Sequence, residues 1–152
     1  MPLVDLIDET YVVAPRAVLA ARLRRRELWR AWWPALDLVV FQDRGDAGVR
    51  WTVTGALVGT SEVWLEPVGD GTLVHYYLRA DPTRRGSATE PVAGSPGRLA
   101  RLARRVAREH AVALKARMNA LKDELEQGRE PGVPAPGADR PAVKGGADPA
   151  ET

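Results

Sequence analysis

The chain has 152 residues, 45% of them hydrophobic, no cysteine and a formal net charge of +2. This length fits one domain, and the lack of cysteine excludes disulfides, thiolate metal sites and thiol catalysis. No apolar run reaches the roughly 20 residues that a membrane-spanning helix needs, and Asp5, Asp8 and Glu9 interrupt the N-terminus before any signal-like apolar segment, so we expect a soluble, cytoplasmic protein with no transmembrane segment.

The first predicted elements are a strand and two short helices. The strand covers residues 4–13, where β-branched and aromatic residues follow a period of two, and Ala14-Pro15 ends it. Proline suits the first position of the next helix, because its missing N–H would be unpaired there in any case. A helical stripe follows, with a break predicted near residues 24–27 and a stop at Pro34. Three of the five tryptophans fall in the last six residues of this stretch, 29–34.

Residues 36–80 predict a meander of four antiparallel strands, at 36–42, 49–54, 61–68 and 72–80. Turn-forming glycines separate them, including an Asp-Gly hairpin turn at Asp70-Gly71 and a short bend or bulge bracketed by Gly55 and Gly59. One face of these strands is apolar and is predicted to point inward. His75 and Tyr77 have the opposite parity, and with Trp64 they predict an aromatic patch on the outer face that favours a homodimer contact.

The C-terminal part divides into a loop, a long helix and a tail. Residues 81–97 contain three prolines and three glycines, which predicts a mobile covering loop over 82–97. Apolar residues recur every three or four positions from Leu99 to Gln127, which predicts one long helix that Gly128 ends. Residues 128–152 are rich in Pro, Gly and Ala and predict a disordered tail, so the folded domain is 1–127.

The order strand, two helices, antiparallel meander and long helix resembles the helix-grip fold of the START-like (SRPBCC) superfamily. Val12-Val13-Ala14-Pro15 resembles the junction between the first strand and first helix of that superfamily. Trp29-Arg30-Ala31-Trp32-Trp33-Pro34 is similar to the segment that leads into its second strand. The hairpin at residues 64–72 and Asp81-Pro82 continue the match, which spans about residues 4–125. Actinobacterial proteins described as polyketide cyclase/dehydrase are the relatives that the resemblance suggests.

The resemblance implies an α+β helix-grip fold, with a curved antiparallel sheet wrapped around the C-terminal helix. It also implies a cavity between sheet and helix that binds a small or medium hydrophobic ligand, lipid-like or polyketide-like. The meander has four strands where the superfamily commonly has five or six, which implies a shallower or more open cavity. The predicted ligand-binding residues are Trp29, Trp33, Trp51, Tyr76, Thr10, Val106 and Leu114.

Two polar residues are candidates for acid–base chemistry. His110 lies on the apolar stripe of the long helix, where it either exchanges a proton with a ligand or is a hydrogen-bonded core histidine. Asp8 shares the parity of Leu6 and Val12 and either pairs with His110 inside the cavity or stands in water at its rim. The resemblance implies an alternative function, an aromatase/cyclase-type enzyme using the same pocket. An interaction module with a filled core is another.

The sequence predicts no cofactor and no metal. His75 and His110 are far apart, and no carboxylate or histidine cluster has the spacing of a metal site. No glycine-rich phosphate loop joins a strand to a helix. The segment 81–108 carries seven arginines against two carboxylates, and four of them (Arg98, Arg101, Arg105 and Arg108) share one helix face. A solvated helix face explains them, because no aromatic residues interleave as nucleic-acid binding would need.

Overall fold

The structure is a computed structural model, and it describes residues 1–127. Its elements are the strand β1 (Val4–Val12), the helices α1 (Arg16–Leu23) and α2 (Arg26–Trp32), the strands β2 (Leu36–Asp43), β3 (Gly48–Gly55), β4 (Leu57–Val68) and β5 (Gly71–Pro82), and the helix α3 (Pro96–Glu126). A short 3-10 turn at Gly45–Ala47 joins β2 to β3. The predicted disordered tail, 128–152, lies outside the described residues.

The five strands form one antiparallel sheet in the order β1-β5-β4-β3-β2. Consecutive hairpins build β2 to β5, as alternation of apolar and polar residues predicts, and β1 closes the far side by pairing with β5. The helices α1 and α2 therefore carry the chain from one edge of the sheet to the other. This is the α+β helix-grip architecture with a curved sheet, and the prediction of the fold class is confirmed.

The break between the first two helices falls at Arg24 and Arg25, inside the predicted interval. The indole N–H of Trp29 donates to the carbonyl oxygen of Leu23 at 2.7 Å, which fixes α2 against the end of α1. A bend lies at Ala56, between the end of β3 at Gly55 and the start of β4 at Leu57, and so falls within the interval Gly55–Gly59 predicted for it. Gly59 itself lies inside β4, where a Cβ atom would be 2.1 Å from the carbonyl oxygen of Arg79.

The long helix α3 packs mainly against β1, with β5 beneath it. Ser95 caps its start by accepting the backbone N–H of Arg98, and Pro96 is its first residue. Its second half is pinned to β1: the ammonium group of Lys122 donates to the carbonyl oxygen of Tyr11 at 2.6 Å. Leu114, which is fully buried, points into a core that is solidly packed between this half of the helix and the sheet.

The glycine at the start of β3 illustrates how tightly the strands approach. Gly48 has φ +132°, and a Cβ atom there would lie 1.9 Å from the carbonyl oxygen of Val63. We expect Gly48→Ala to lower the free energy of unfolding by about 2 kcal/mol or more, measured by urea denaturation. At Gly97 an added Cβ atom would meet open space. We therefore expect Gly97→Ala to raise the free energy of unfolding by about 0.4–1 kcal/mol, because alanine lowers the conformational entropy of the unfolded chain. Equal stabilities of the two variants would contradict this account.

Candidate functional site

An open cleft of about 390 Å³ lies beside the first half of α3, next to the packed core. Its other walls are the connection from α2 to β2, the β3–β4 turn and the end of β5. Ten of its thirteen lining residues are apolar, which is the usual make-up of a small-molecule site. The lining residues are Trp32, Trp33, Pro34, Ala35, Leu36, Ala56, Leu57, Pro82, Val106, Glu109, His110, Ala113 and Arg117.

The cleft exists because short side chains meet where two connections run close together. Ala56 of the β3–β4 turn donates its backbone N–H to the carbonyl oxygen of Ala35 at 3.0 Å, which holds the two connections together. On the opposite wall, α3 contributes residues at spacings of three and four, which lie on one helix face. Ala113 stands in the middle of that face, and its small side chain leaves room for a guest.

His110 is the buried polar residue of this wall. Its ring stacks on Trp33 with 3.8 Å between centroids, and its Nε2 lies 2.8 Å from the hydroxyl oxygen of Tyr76. Burial lowers the pKa of His110 from 6.5 to about 4, with a smaller contribution from the charge of Arg117. The imidazole is therefore neutral at pH 7, while burial raises the pKa of Tyr76 and keeps its phenol protonated.

A neutral imidazole has one donor and one acceptor nitrogen. The hydrogen bond to Tyr76 uses Nε2 in one of these roles and leaves the complementary role to Nδ1. Within residues 1–127, Nδ1 of His110 has no hydrogen-bond partner. This nitrogen is therefore free to bond water or a polar atom of a bound molecule.

Arg117 supplies the positive charge of the cleft. Its guanidinium carbon lies 4.9 Å from the ring centroid of Trp33, which is cation–π distance. In the described part of the chain no carboxylate forms an ion pair with Arg117, although the side chain is half-buried. Glu109, the negative charge of the cleft, is exposed and lies about 12 Å away along the helix axis.

Of the predicted ligand-binding residues, Trp33 and Val106 line the cleft, and so does the catalytic candidate His110. The others lie elsewhere because the second half of α3 fills the space that the sequence predicted to be hollow. Trp29 packs against Trp51 with 4.7 Å between ring centroids, and both belong to the core. Tyr76 reaches the cleft only through His110, and the core contains Leu114 as well.

Asp8 and Thr10 form a separate polar group at the junction of β1 and α3. The carboxylate of Asp8 lies 3.0 Å from the ammonium nitrogen of Lys115, which also donates to the hydroxyl of Thr10 at 3.1 Å. The Thr10 hydroxyl donates to Asp8 at 3.0 Å. Because Asp8 is engaged by Lys115, the structure does not join it to His110 as an acid–base pair.

Arg117, Ala113 and Glu109 were not predicted from the sequence. Ala113 and Arg117 follow from His110 by helix spacing, because they are three and seven positions later and share its face. This signal was present in the sequence. Glu109 is the residue directly before His110, and helix spacing does not place it on that face. No sequence pattern predicts that Ala56 and Leu57 line the cleft, because this depends on the β3–β4 turn lying next to the connection from α2 to β2.

The segment predicted to cover the cavity has a different position. It continues β5 through Pro82 and then turns back, with Arg84 and Glu90 joined by an ion pair and by a backbone hydrogen bond of 2.7 Å. Ala88 accepts the backbone N–H of Gly55 at 3.0 Å. These bonds tie the segment to the β3–β4 turn, and of residues 82–97 only Pro82 lines the cleft.

The aromatic group predicted on the outer face of the sheet is present. His75 stacks on Trp64 with 4.3 Å between ring centroids and lies 6.5 Å from the ring of Tyr77. Its two ring nitrogens approach carboxylates, Nδ1 that of Glu9 at 3.3 Å and Nε2 that of Glu66 at 2.9 Å. The homodimer through this face stays a prediction.

Residues 1–127 contain neither a metal-ligand cluster nor a membrane-spanning helix. No group of three histidine or carboxylate side chains is arranged to hold a metal ion in this part of the chain. Among the same residues, no helix combines the length and the apolar character that crossing a bilayer requires.

Comparison with known proteins gives structural neighbours only. No protein-family model matches the sequence, and no curated protein does. A crystal structure of a Deinococcus radiodurans protein aligns with a TM-score of 0.56 at 14% identity, covering 82% of this chain and 99% of that one. The solution structure of the Aha1 dimer from Colwellia psychrerythraea aligns with a TM-score of 0.51 at 15% identity, covering 84% and 99%.

A START superfamily protein from Mycobacterium smegmatis also aligns, with a TM-score of 0.42 at 16% identity over 81% of this chain and 97% of that one. The alignments with the Deinococcus radiodurans protein and with the Aha1 dimer show a shared fold. At identities this low, a likeness shows the fold and nothing finer.

Proposed function

We propose that this chain binds a small or medium hydrophobic molecule, lipid-like or polyketide-like, in the cleft beside α3. The observation that carries the proposal is an open, mostly apolar cleft of about 390 Å³ whose wall contains the buried His110–Tyr76 hydrogen bond. Ligand sites usually combine apolar walls with a few polar groups that fix orientation. A volume near the lower end of the usual range of about 300–1,000 Å³ favours a guest that is small or only partly enclosed. The cytoplasmic location stays part of the proposal.

The packing supports binding beside the helix rather than beneath it. The space under the second half of α3 is filled by Leu114, Met118 and Leu121, each of which is at most 3% exposed. A guest there would have to displace core side chains, at a cost of several kcal/mol. The alternative function, an interaction module with a filled core, agrees with the packing under the second half of α3. It does not account for the open cleft beside the first half of α3.

An aromatase/cyclase-type enzyme remains the second candidate, because the Tyr76–His110 pair can hydrogen-bond a carbonyl oxygen. Proton abstraction at neutral pH is a poorer fit, since a base with a pKa of about 4 is weak there. Asp8, the other candidate, is held by Lys115. Turnover that is lost in His110→Ala while binding is retained would favour the enzyme.

The proposal is tested by filling the cleft. We expect Ala113→Trp to weaken binding of the neutral apolar dye Nile red by at least about tenfold, because the indole occupies space that the guest needs. The measurement is a fluorescence titration, with circular dichroism to verify the fold. In parallel, mass spectrometry of protein purified from its host identifies any small molecule that accompanies it.

Ala116→Trp is the matched control, since Ala116 is exposed on the same helix and does not line the cleft. This variant should bind the dye as the unmodified protein does. If both tryptophan variants bind equally well, the dye does not use the cleft. If the unmodified protein binds no apolar molecule at all, the filled-module alternative is the better description.

A further inference from the structure

Arg117 assigns a chemical class to the guest. We infer that the ligand is an amphipathic monocarboxylate, an apolar chain or ring system with a single carboxylate that Arg117 binds. This inference rests on the proposed function, because it names the ligand of the same cleft. Its basis is the half-buried residue Arg117, which lines a mostly apolar cleft and which no carboxylate of the described residues neutralises.

Two other half-buried arginines of the described residues each lie near a carboxylate. Arg22 binds the carboxylate of Glu124 in two hydrogen bonds of 2.7 and 3.0 Å, and Arg50 lies 3.6 Å from that of Glu62. Arg16 is half-buried without such a pair, but it does not line the cleft. Removing a charge from water costs free energy unless a partner compensates it. At Arg117 that partner is water, a bound molecule or a residue outside 1–127.

The geometry of the group favours a carboxylate. The guanidinium has five N–H donors in a planar fork that matches the two oxygens of a carboxylate. Trp33 lies under the guanidinium carbon of Arg117 at 4.9 Å and so holds the head group at the edge of the apolar wall. A ligand carboxylate bound to this fork would have its apolar body against the same wall.

Among the described residues that line the cleft, Arg117 carries the one positive charge at pH 7, because His110 is neutral there. Glu109 is exposed and about 12 Å away, so solvent ions largely screen its charge at Arg117. A monocarboxylate matches the single charge of Arg117, whereas a dianion such as a phosphate monoester would leave one negative charge uncompensated. The carboxylate of a monoanion can bind at the Arg117 end while its body follows α3 toward Val106, a distance of about 16 Å along the axis.

Matched ligands test the inference. Decanoic acid and methyl decanoate share one apolar chain and differ in charge. The affinity of each is measured by its displacement of Nile red from the protein at pH 7.5. The acid is used below the concentration at which it forms micelles. We expect the acid to bind at least about tenfold more tightly than the ester, as a charge-assisted hydrogen bond implies. Arg117→Gln should abolish this difference. The readout is the ratio of acid to ester affinity within each protein, so a general change in binding caused by the substitution cancels.

Two further variants complete the design. Arg108→Gln removes an exposed arginine of the same helix that does not line the cleft, and it should leave the preference for the acid intact. Arg117→Lys keeps the charge and should keep part of the preference. Equal binding of acid and ester to the unmodified protein, with the dye still bound, overturns the carboxylate and leaves the proposed function standing. A protein that binds no Nile red overturns both.

Discussion

Replacing Trp29 with alanine should lower the free energy of unfolding by about 3–5 kcal/mol, the largest single-residue loss that we expect in this protein. The indole of Trp29 is 3% exposed and packs edge-on against both Trp32 and Trp51, with ring centroids 5.3 and 4.7 Å apart. Alanine would leave a cavity among rigid aromatic neighbours that cannot collapse into it. Equilibrium urea denaturation, followed by far-ultraviolet circular dichroism, measures the loss.

Two other substitutions separate the sources of that loss. Trp29→Phe keeps most of the volume but removes the hydrogen bond to the carbonyl oxygen of Leu23, and we expect it to cost about 1–3 kcal/mol. Trp64→Ala removes a tryptophan that is 38% exposed on the outer face of the sheet, so its effect should be clearly smaller than that of Trp29→Ala. Equal losses for Trp29→Ala and Trp64→Ala would show that Trp29 is not a central core residue.

The tryptophan cluster shows what the sequence could predict and what it could not. Three large apolar residues at the end of a helical stripe predict a densely packed place, and the structure has one there. The sequence does not separate their roles, because Trp33 is four positions after Trp29 and its backbone N–H still donates to the carbonyl oxygen of Trp29 at 2.8 Å where α2 ends. Both tryptophans belong to the core cluster, but Trp33 also stacks on His110 and forms a wall of the cleft.

The strands were the more predictable part of the fold. Alternation and turn-forming residues together placed all five, although β2 does not alternate, since Val39, Val40 and Phe41 are all exposed. Their ends were less predictable: β4 begins at Leu57, four residues before the expected start, since Gly59 continues the strand instead of bending it. A glycine inside a strand and a glycine in a bend have the same sequence signature, and only the approach of Arg79 distinguishes them.

The site depends on features that sequence periodicity does not carry. His110 was predicted to face the sheet, and helix spacing from it could have found Arg117. The opposite wall forms because Ala35 and Ala56, 21 positions apart in the sequence, lie at the same end of the sheet and are joined by a backbone hydrogen bond. That contact is set by the register of β2, β3 and β4 together, so no local pattern encodes it.

The second large effect concerns acid stability. The folded pKa of His110, about 4, lies below the ordinary value of 6.5, so between these two pH values the unfolded chain binds more protons than the folded one. The free energy of unfolding should therefore fall as the pH falls from 6.5 to 4, by about 3 kcal/mol in all, and this contribution should level off below pH 4. Urea denaturation at half-unit pH intervals measures the slope.

Substitutions at His110 and at its partner attribute that slope. His110→Gln removes the titrating ring and keeps a side chain that can hydrogen-bond Tyr76, so its curve should be flatter over this range by about the same 3 kcal/mol. Carboxylates that titrate nearby contribute equally to both proteins and cancel in the comparison. Tyr76→Phe should keep most of the slope, because burial is the largest cause of the lowered pKa of His110 and the charge of Arg117 the second. Parallel curves for the unmodified protein and His110→Gln would mean that the imidazole is accessible to protons in the folded state, and that the cleft wall is wetter than its packing against Trp33 implies.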